Sequence, residues 1–136
     1  MNPDRRELIH KADHLWHDVI SMIFFGRCIM CGLPGSDPHH WMFGRSILAF
    51  RWHLMNGVYT CRGCHGAVEL DNGKRLGNIL KKNYEAQWRW GEEVRIGKPE
   101  PFTTEQIAAT ILSLENAKDA FGKTGDLMRH AIRPVF

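Results

Sequence analysis

The chain has 136 residues, of which 43% are hydrophobic and 24% charged, and its formal net charge is +3. This composition is typical of a single globular domain, and no apolar run approaches the roughly 18 residues that a membrane-spanning helix requires. The polar, charged N-terminus lacks the pattern of a secretory signal, so we expect a cytoplasmic protein with no membrane partner.

Positive charge is concentrated in the middle of the chain. Residues 41–90 carry eight basic and three acidic side chains, whereas the segments 1–40 and 91–136 are each close to neutral. Such a basic segment is either ordinary solvated surface or the contact region for a polyanion such as nucleic acid. Charge alone does not separate the two.

The predicted elements begin with a helix. Apolar residues at helical spacing from Leu8 to Ile23 predict an N-terminal helix within residues 1–27, which Gly26 is expected to end. Two short strands are expected in the segments HHWMF and NGVYT, joined by a connection with some helical tendency. A helix should begin within CRGCHGAVEL and end at the Asp71-Asn72-Gly73 turn.

The remaining segment, 71–136, is expected to be a helical extension. KRLGNILKKNYEAQW has the periodicity of one amphipathic helix, and GEEVRIGKPEP has the composition of a linker. Thr103, followed three residues later by Gln106, has the pattern of a capping box at the start of another helix. The sequence therefore predicts one mostly helical α+β domain over 1–136, with a central core at 28–70.

Four cysteines occur as two CxxC pairs, Cys28 with Cys31 and Cys61 with Cys64. In a reducing compartment this spacing indicates a metal site, because two thiolates so spaced can reach one ion and structural zinc takes four tetrahedral ligands. The segment between the pairs exceeds the usual spacing of about 15–20 residues, so a further element is inserted there.

Two other interpretations of the cysteines stay open. They could be buried free thiols, and CRGCH also has the CxxCH pattern of covalent haem attachment. Haem attachment generally occurs in exported proteins, and it would leave Cys28 and Cys31 unexplained.

Three histidines and an asparagine fall among these cysteines in the order His39, His40, Asn56, His65. The complete order, CxxC, HH, N and CxxCH, resembles the zinc-stabilised branch of the HNH nuclease family over about residues 28–70. In that branch the first cysteine of the second pair commonly lies five residues after the asparagine, as Cys61 does after Asn56.

The resemblance implies a ββα-metal finger with a structural Zn²⁺, and a DNA endonuclease that uses Mg²⁺ or Mn²⁺. His40 would be the general base, since a neutral imidazole can take a proton from water near neutral pH. Asn56 would hold the loop between the strands and orient His40. His39 and His65 would bind the catalytic cation, although His39 would need a local bend because neighbouring strand residues point to opposite faces.

Some members of that family have a third cation ligand four residues after the histidine that corresponds to His65, on the same face of the helix. Glu69 occupies that position, and a carboxylate suits Mg²⁺ or Mn²⁺. The alternative is a solvent-facing Glu69. Asp37 is another candidate carboxylate, restricted by the neighbouring Pro38.

Within the family, the segment from His39 to Val68 resembles the central region of the phage NinG (Rap) recombination nucleases. The phage junction-resolving endonuclease VII also brackets its catalytic histidine with two CxxC pairs. Both commonly have Asn after the second pair, where this chain has His65. The resemblance therefore implies phage or bacterial DNA recombination or processing, with branched DNA as one candidate substrate, by a monomer or a homodimer.

DNA would be the partner of the basic segment, through side chains that can neutralise phosphates. These candidate contacts are Arg45, Arg51, Arg62, Lys74, Arg75, Lys81 and Lys82. Tryptophans among them can stack on bases, although Trp41 and Trp52 are expected in the core. A non-catalytic zinc-finger DNA-binding protein is the alternative function.

His10, His14 and His17 are spaced so that they fall on one face of the first predicted helix. They could form a second metal site or simply be polar surface.

Overall fold

A computed structural model describes residues 3–95, 97 and 99–124. Its elements are α1 (Pro3–Ile23), β1 (Asp37–His40), α2 (Leu48–Arg51), β2 (Gly57–Thr60), α3 (Arg62–Leu70), α4 (Lys74–Asn83), α5 (Glu85–Val94) and α6 (Thr104–Thr124), with a 3-10 turn at Leu54–Asn56. The expected mostly helical α+β class is therefore confirmed. The end of the predicted extension, 125–136, lies outside the described residues.

The predicted end of the first helix is found close to Gly26. The last helical residue is Ile23, and Phe25 and Gly26 then adopt left-handed backbone angles, with φ of 56° and 68°. The Gly26 N–H donates to the carbonyl of Ser21 at 2.8 Å, which closes the helix with a Schellman-type bond. This sharp end directs the chain into the first cysteine pair.

The capping box is present at the start of α6. The Thr103 N–H donates to Oε1 of Gln106 at 2.7 Å, and the Gln106 N–H donates to Oγ1 of Thr103 at 3.1 Å. Helix α6 packs along α1, and these two are the longest helices among the described residues.

The two strands form an antiparallel ladder with one-to-one pairing, from Asp37 opposite Thr60 to His40 opposite Gly57. All four residues of β2 are buried, and the strand contacts α1. A Cβ atom at Gly57 would lie 2.5 Å from Cδ1 of Ile20, so only glycine permits this approach. Helix α3 follows β2 after a single residue, Cys61.

The predicted single helix over KRLGNILKKNYEAQW is two helices, because Tyr84 interrupts it with φ −133° and ψ 56°. The Tyr84 ring is buried beside Phe24, with ring centroids 5.8 Å apart. The second helix continues to Val94, into the segment predicted as a linker. The residues on both sides of Tyr84 have good helix propensity, so burial of the Tyr84 ring outweighs local propensity at this position.

Among the described residues, the buried apolar side chains form one cluster drawn from α1, β2, α3, α4 and α6. The predicted segments 1–27, 28–70 and 71–136 therefore share a core. No described helix combines the length and apolar character needed to cross a bilayer.

Candidate metal centre and histidine cleft

The four cysteines converge at the junction of two local turns. Cys28 and Cys31 lie in the turn after α1, and Cys61 and Cys64 lie at the start of α3. Their sulfur atoms all lie within 4.8 Å of one another, and Sγ of Cys31 is 3.7 Å from Sγ of Cys61. Sulfurs bound tetrahedrally to zinc at about 2.3 Å are separated by about 3.8 Å. The cluster can therefore hold a metal ion such as zinc.

Backbone N–H groups point at the sulfurs within each pair. The Met30 N–H lies 3.4 Å from Sγ of Cys28, and the Cys64 N–H lies 3.4 Å from Sγ of Cys61, which caps α3. Burial raises the pKa of Cys28, but backbone hydrogen bonds outweigh it and bring that pKa to about 7. The hydrogen bond with Cys61 raises the pKa of Cys64 to about 12. Without a cation the Cys64 thiol therefore keeps its proton near neutral pH, and a bound metal ion would displace it.

His40 is held on two sides by elements outside the ladder. Its ring stacks on Trp16 of α1, with centroids 4.2 Å apart and planes 7° from parallel. Its Nε2 lies 2.8 Å from the carbonyl oxygen of Arg51. A carbonyl can only accept, so Nε2 carries the proton and Nδ1 is the basic nitrogen of the neutral ring. Burial lowers the pKa of His40, and the charges of Arg51 and Arg45 lower it further. The hydrogen bond to the Arg51 carbonyl raises this pKa but does not outweigh them.

Asn56 is fully buried and bridges the chain between the strands. Its Oδ1 accepts from the N–H groups of Met42 and Phe43 at 3.1 and 3.0 Å, and its Nδ2 donates to the carbonyls of Phe43 and Phe50 at 2.8 and 3.0 Å. It has no hydrogen bond to His40 itself. Because it holds Phe50, it holds the neighbouring carbonyl of Arg51 that binds His40.

Asp13 on α1 also holds the segment that carries the Arg51 carbonyl, a role that the sequence did not reveal. Its carboxylate accepts two bonds from the Arg51 guanidinium, at 2.9 and 2.7 Å, and one from the Trp52 indole at 2.8 Å. Burial alone would raise the pKa of Asp13, but these bonds and the charges of Arg51 and Arg45 hold it below its usual value.

His39 and His65 face each other across the start of α3. Their ring centroids are 4.9 Å apart in an edge-to-face arrangement. Nδ1 of His65 is 3.3 Å from Oδ2 of Asp37, which lies two residues before His39 on the same strand. The hydrogen bond from Ser36, aided by His65, lowers the pKa of Asp37. Burial, with repulsion from His65 and His40, lowers the pKa of His39 to about 4.

The histidines line a common cleft of about 430 Å³, called here the histidine cleft. Its walls are Asp13, Trp16, Pro38, His39, His40, Gly44, Arg45 and His65. The strand ladder is regular up to His40, so both neighbouring rings reach the cleft without the expected bend. The position of the cleft at the strand end explains this, since β1 stops at His40.

Glu69 is exposed and does not join the histidines. Among the residues that the structure describes, the cysteines form the one group of three or more metal-ligating side chains that converges within 4.8 Å. Asp37, which precedes the histidines, takes the carboxylate position beside His65 instead. In the sequence, the available signal for Asp37 was that it lies two residues before His39, a spacing that puts both on one face of a strand.

The predicted DNA contacts divide into two groups. Arg51 has only 13% of its side chain exposed and is engaged by Asp13, so it is poorly placed to bind phosphate. Arg45 stays 68% exposed at the histidine cleft. The others are exposed on α3 and α4, without an ion pair to any described residue: Arg62, Lys74, Arg75, Lys81 and Lys82.

The histidines of α1 lie apart from both sites. His10 and His14 contact each other, with their Nε2 atoms 3.2 Å apart, and His17 lies beside Tyr59. Among the described residues, these three histidines do not belong to a group of three or more converging metal-ligating side chains.

Comparison with family models, curated proteins and solved structures found no match to this chain.

Proposed function

We propose that this protein is a metal-dependent HNH-type endonuclease that hydrolyses DNA phosphodiester bonds. In this proposal β1, β2 and α3 are a ββα-metal finger, and a zinc ion bound by the four cysteines supports it. The observation that carries the proposal is the setting of His40, whose Nε2 is bonded to the Arg51 carbonyl inside a cleft that His39 and His65 also line.

His40 has the properties of a general base. Its lowered pKa keeps the ring neutral near pH 7, and the Arg51 carbonyl selects the tautomer with a basic Nδ1. The stack on Trp16 fixes the plane of the ring. A water molecule beside Nδ1 could therefore lose its proton as it attacks a phosphate.

His39 and His65 are the residues that would hold a catalytic cation. A metal-binding histidine usually donates its other ring N–H to a carboxylate, and Asp37 accepts from Nδ1 of His65, which leaves Nε2 of His65 for a ligand bond. A divalent cation there would supply positive charge for the phosphate and the leaving oxygen. Two imidazoles and no converging carboxylate favour Mn²⁺ over Mg²⁺.

The charges around the cleft suit a DNA backbone. Arg45 lies at the cleft, and the basic side chains of α3 and α4 continue the positive surface. By its resemblance to NinG-type nucleases, the protein would act in phage or bacterial DNA recombination or processing, in the cytoplasm, as a monomer or homodimer.

A nicking assay on supercoiled plasmid tests this proposal. We expect nicking with Mn²⁺, weaker nicking with Mg²⁺, and none when EDTA removes the added cation. His40→Ala should lower the rate by about 10²–10⁴ while zinc content and folding are retained. His10→Ala is the matched control, because it removes an exposed histidine outside the cleft.

The proposal fails if wild-type protein cuts neither plasmid nor branched DNA with either cation. It also fails if His40→Ala cuts as fast as wild type. DNA binding without cleavage would favour the zinc-finger alternative.

A further inference from the structure

A second cleft adjoins the histidine cleft and shares His39 with it. Its volume is about 320 Å³, near the lower end for sites that bind small organic groups. The side chains that matter here are His39, Trp41, Asn72, Lys74, Asn78 and Trp88, which define the tryptophan cleft. Its position places any occupant directly beside the proposed reaction site.

Two indoles form the apolar wall of the tryptophan cleft. Trp41 and Trp88 are partly exposed, with ring centroids 6.0 Å apart and planes within 21° of parallel. The Trp41 indole is fixed, since its Nε1 donates to the carbonyl of Met55 at 2.6 Å. Gly91 makes room for it, because a Cβ atom there would lie 2.3 Å from Cη2 of Trp41. Trp41 was expected in the core, and it packs against the core cluster while also lining this cleft.

The lining of the tryptophan cleft also includes polar and positive side chains. Asn72 and Asn78 are exposed, and neither amide is hydrogen-bonded to any other residue in the described ranges. An amide group can pair with the donors and acceptors on the edge of a nucleobase. Lys74 adds a positive charge at the rim. Flat indoles, amides and a cation together match an unpaired nucleotide better than a purely apolar ligand.

We infer that the tryptophan cleft binds one unpaired base of the DNA strand next to the phosphate being cut. Within an intact duplex a base is covered on both faces by its neighbours and on its edge by its partner, so it would have to leave the stack to enter. The substrate class is then single-stranded or branched DNA. This inference rests on the proposed nuclease function and deepens it.

The first test compares binding to matched fluorescent DNAs: a duplex and the same duplex carrying a single-stranded flap. Binding is measured by anisotropy in the zinc-loaded His40→Ala protein, which cannot consume the DNA. We expect tighter binding to the flap. Trp88→Ala should weaken flap binding about tenfold and change duplex binding by less than about twofold, the size expected for one lost base stack. Leu112→Ala is the control, since that exposed side chain lies on α6 and does not line the cleft.

A second pair of variants fills the cleft instead of emptying it. A Cβ atom at Gly77 would make ordinary contact with Trp88, at 3.5 Å from Cζ3. Gly77→Ala should therefore leave flap binding intact, whereas Gly77→Met should weaken it. This pair decides the question if Trp88→Ala does not fold.

The outcomes separate the two proposals. If wild-type protein prefers the flap through Trp88 but cuts no DNA, the nuclease function is wrong. If wild-type protein cuts duplex and flap at equal rates, or if the Trp88 and Gly77 variants change both DNAs alike, the tryptophan cleft is not a base-binding site.

Discussion

The cysteine cluster and the histidine cleft lie side by side, with Cys64 and His65 as neighbours on α3, yet they are built differently. The cysteines come from two local turns and converge within 4.8 Å. The histidines come from a strand end and a helix, and their setting depends on Trp16, Asp13 and the 50–56 segment. The first site can support the fold, whereas the second site depends on the fold. Substitutions at the cysteine cluster and at the histidine cleft should therefore differ most in how far they lower the free energy of unfolding.

Loss of the cysteine cluster should have the largest effect. Structural zinc sites contribute on the order of 10 kcal/mol of binding energy to folding, so Cys61→Ala should abolish zinc binding and unfold residues 28–70. Elemental analysis and near-UV circular dichroism would check this. A zinc-free protein with an unchanged melting temperature would contradict the structural role.

Asn56 should come next, because it links the histidine cleft to the connection between the strands. Asn56→Ala leaves the N–H groups of Met42 and Phe43 and the carbonyl of Phe43 without their partner, which should cost about 3 kcal/mol or more of unfolding free energy. Urea denaturation measures this cost, and cleavage should fall with it. A cost below about 1 kcal/mol would mean that water replaces the amide.

Asp13 should contribute less and in a pH-dependent way. Its pKa is lowered in the folded state, so its stabilisation is present above the unfolded value of 3.8 and is lost as pH falls through the folded value. Asp13→Asn should cost about 1–2 kcal/mol at pH 7, a figure reduced for partial exposure, and flatten the acid limb of the stability curve. Melting temperatures from pH 2 to 7, for both proteins, would show whether the curves converge at low pH.

The smallest stability change is expected at the proposed reaction site itself. His65→Ala removes a partly exposed hydrogen bond with Asp37 and introduces a better helix former, so the unfolding free energy should change by less than about 1 kcal/mol. The same substitution should abolish cleavage and leave zinc content unchanged. A large loss of stability would make His65 a structural residue and remove the contrast between the two sites.

The sequence predicted best what short-range rules determine. The CxxC turns, the capping box at Thr103 and the helix end near Gly26 each depend on residues within a few positions. The convergence of the two cysteine pairs is a long-range contact, and it was predictable for a different reason: structural zinc needs four ligands, and each CxxC turn supplies two.

Long-range contacts were not predictable from these rules. No local pattern indicates that Trp16 stacks on His40, that Asp13 engages Arg51, or that Tyr84 is buried and interrupts a helix. Glu69 shows that a local pattern can also mislead. Its helical spacing from His65 favoured a shared ligand role, but the paired strand brings Asp37 to that histidine instead.

The stacking of Trp16 on His40 has a consequence for any attempt to transfer the CxxC, HH, N and CxxCH motif to another protein. A fragment of residues 28–70 would keep all four cysteines, His39, His40, Asn56 and His65, and would be expected to bind zinc. It would lack α1, and with it the indole against His40 and the carboxylate that engages Arg51. Grafted onto another protein, such a fragment would carry the motif without the α1 contacts that set the orientation of His40. The smallest transferable unit of this protein therefore has to include the first helix.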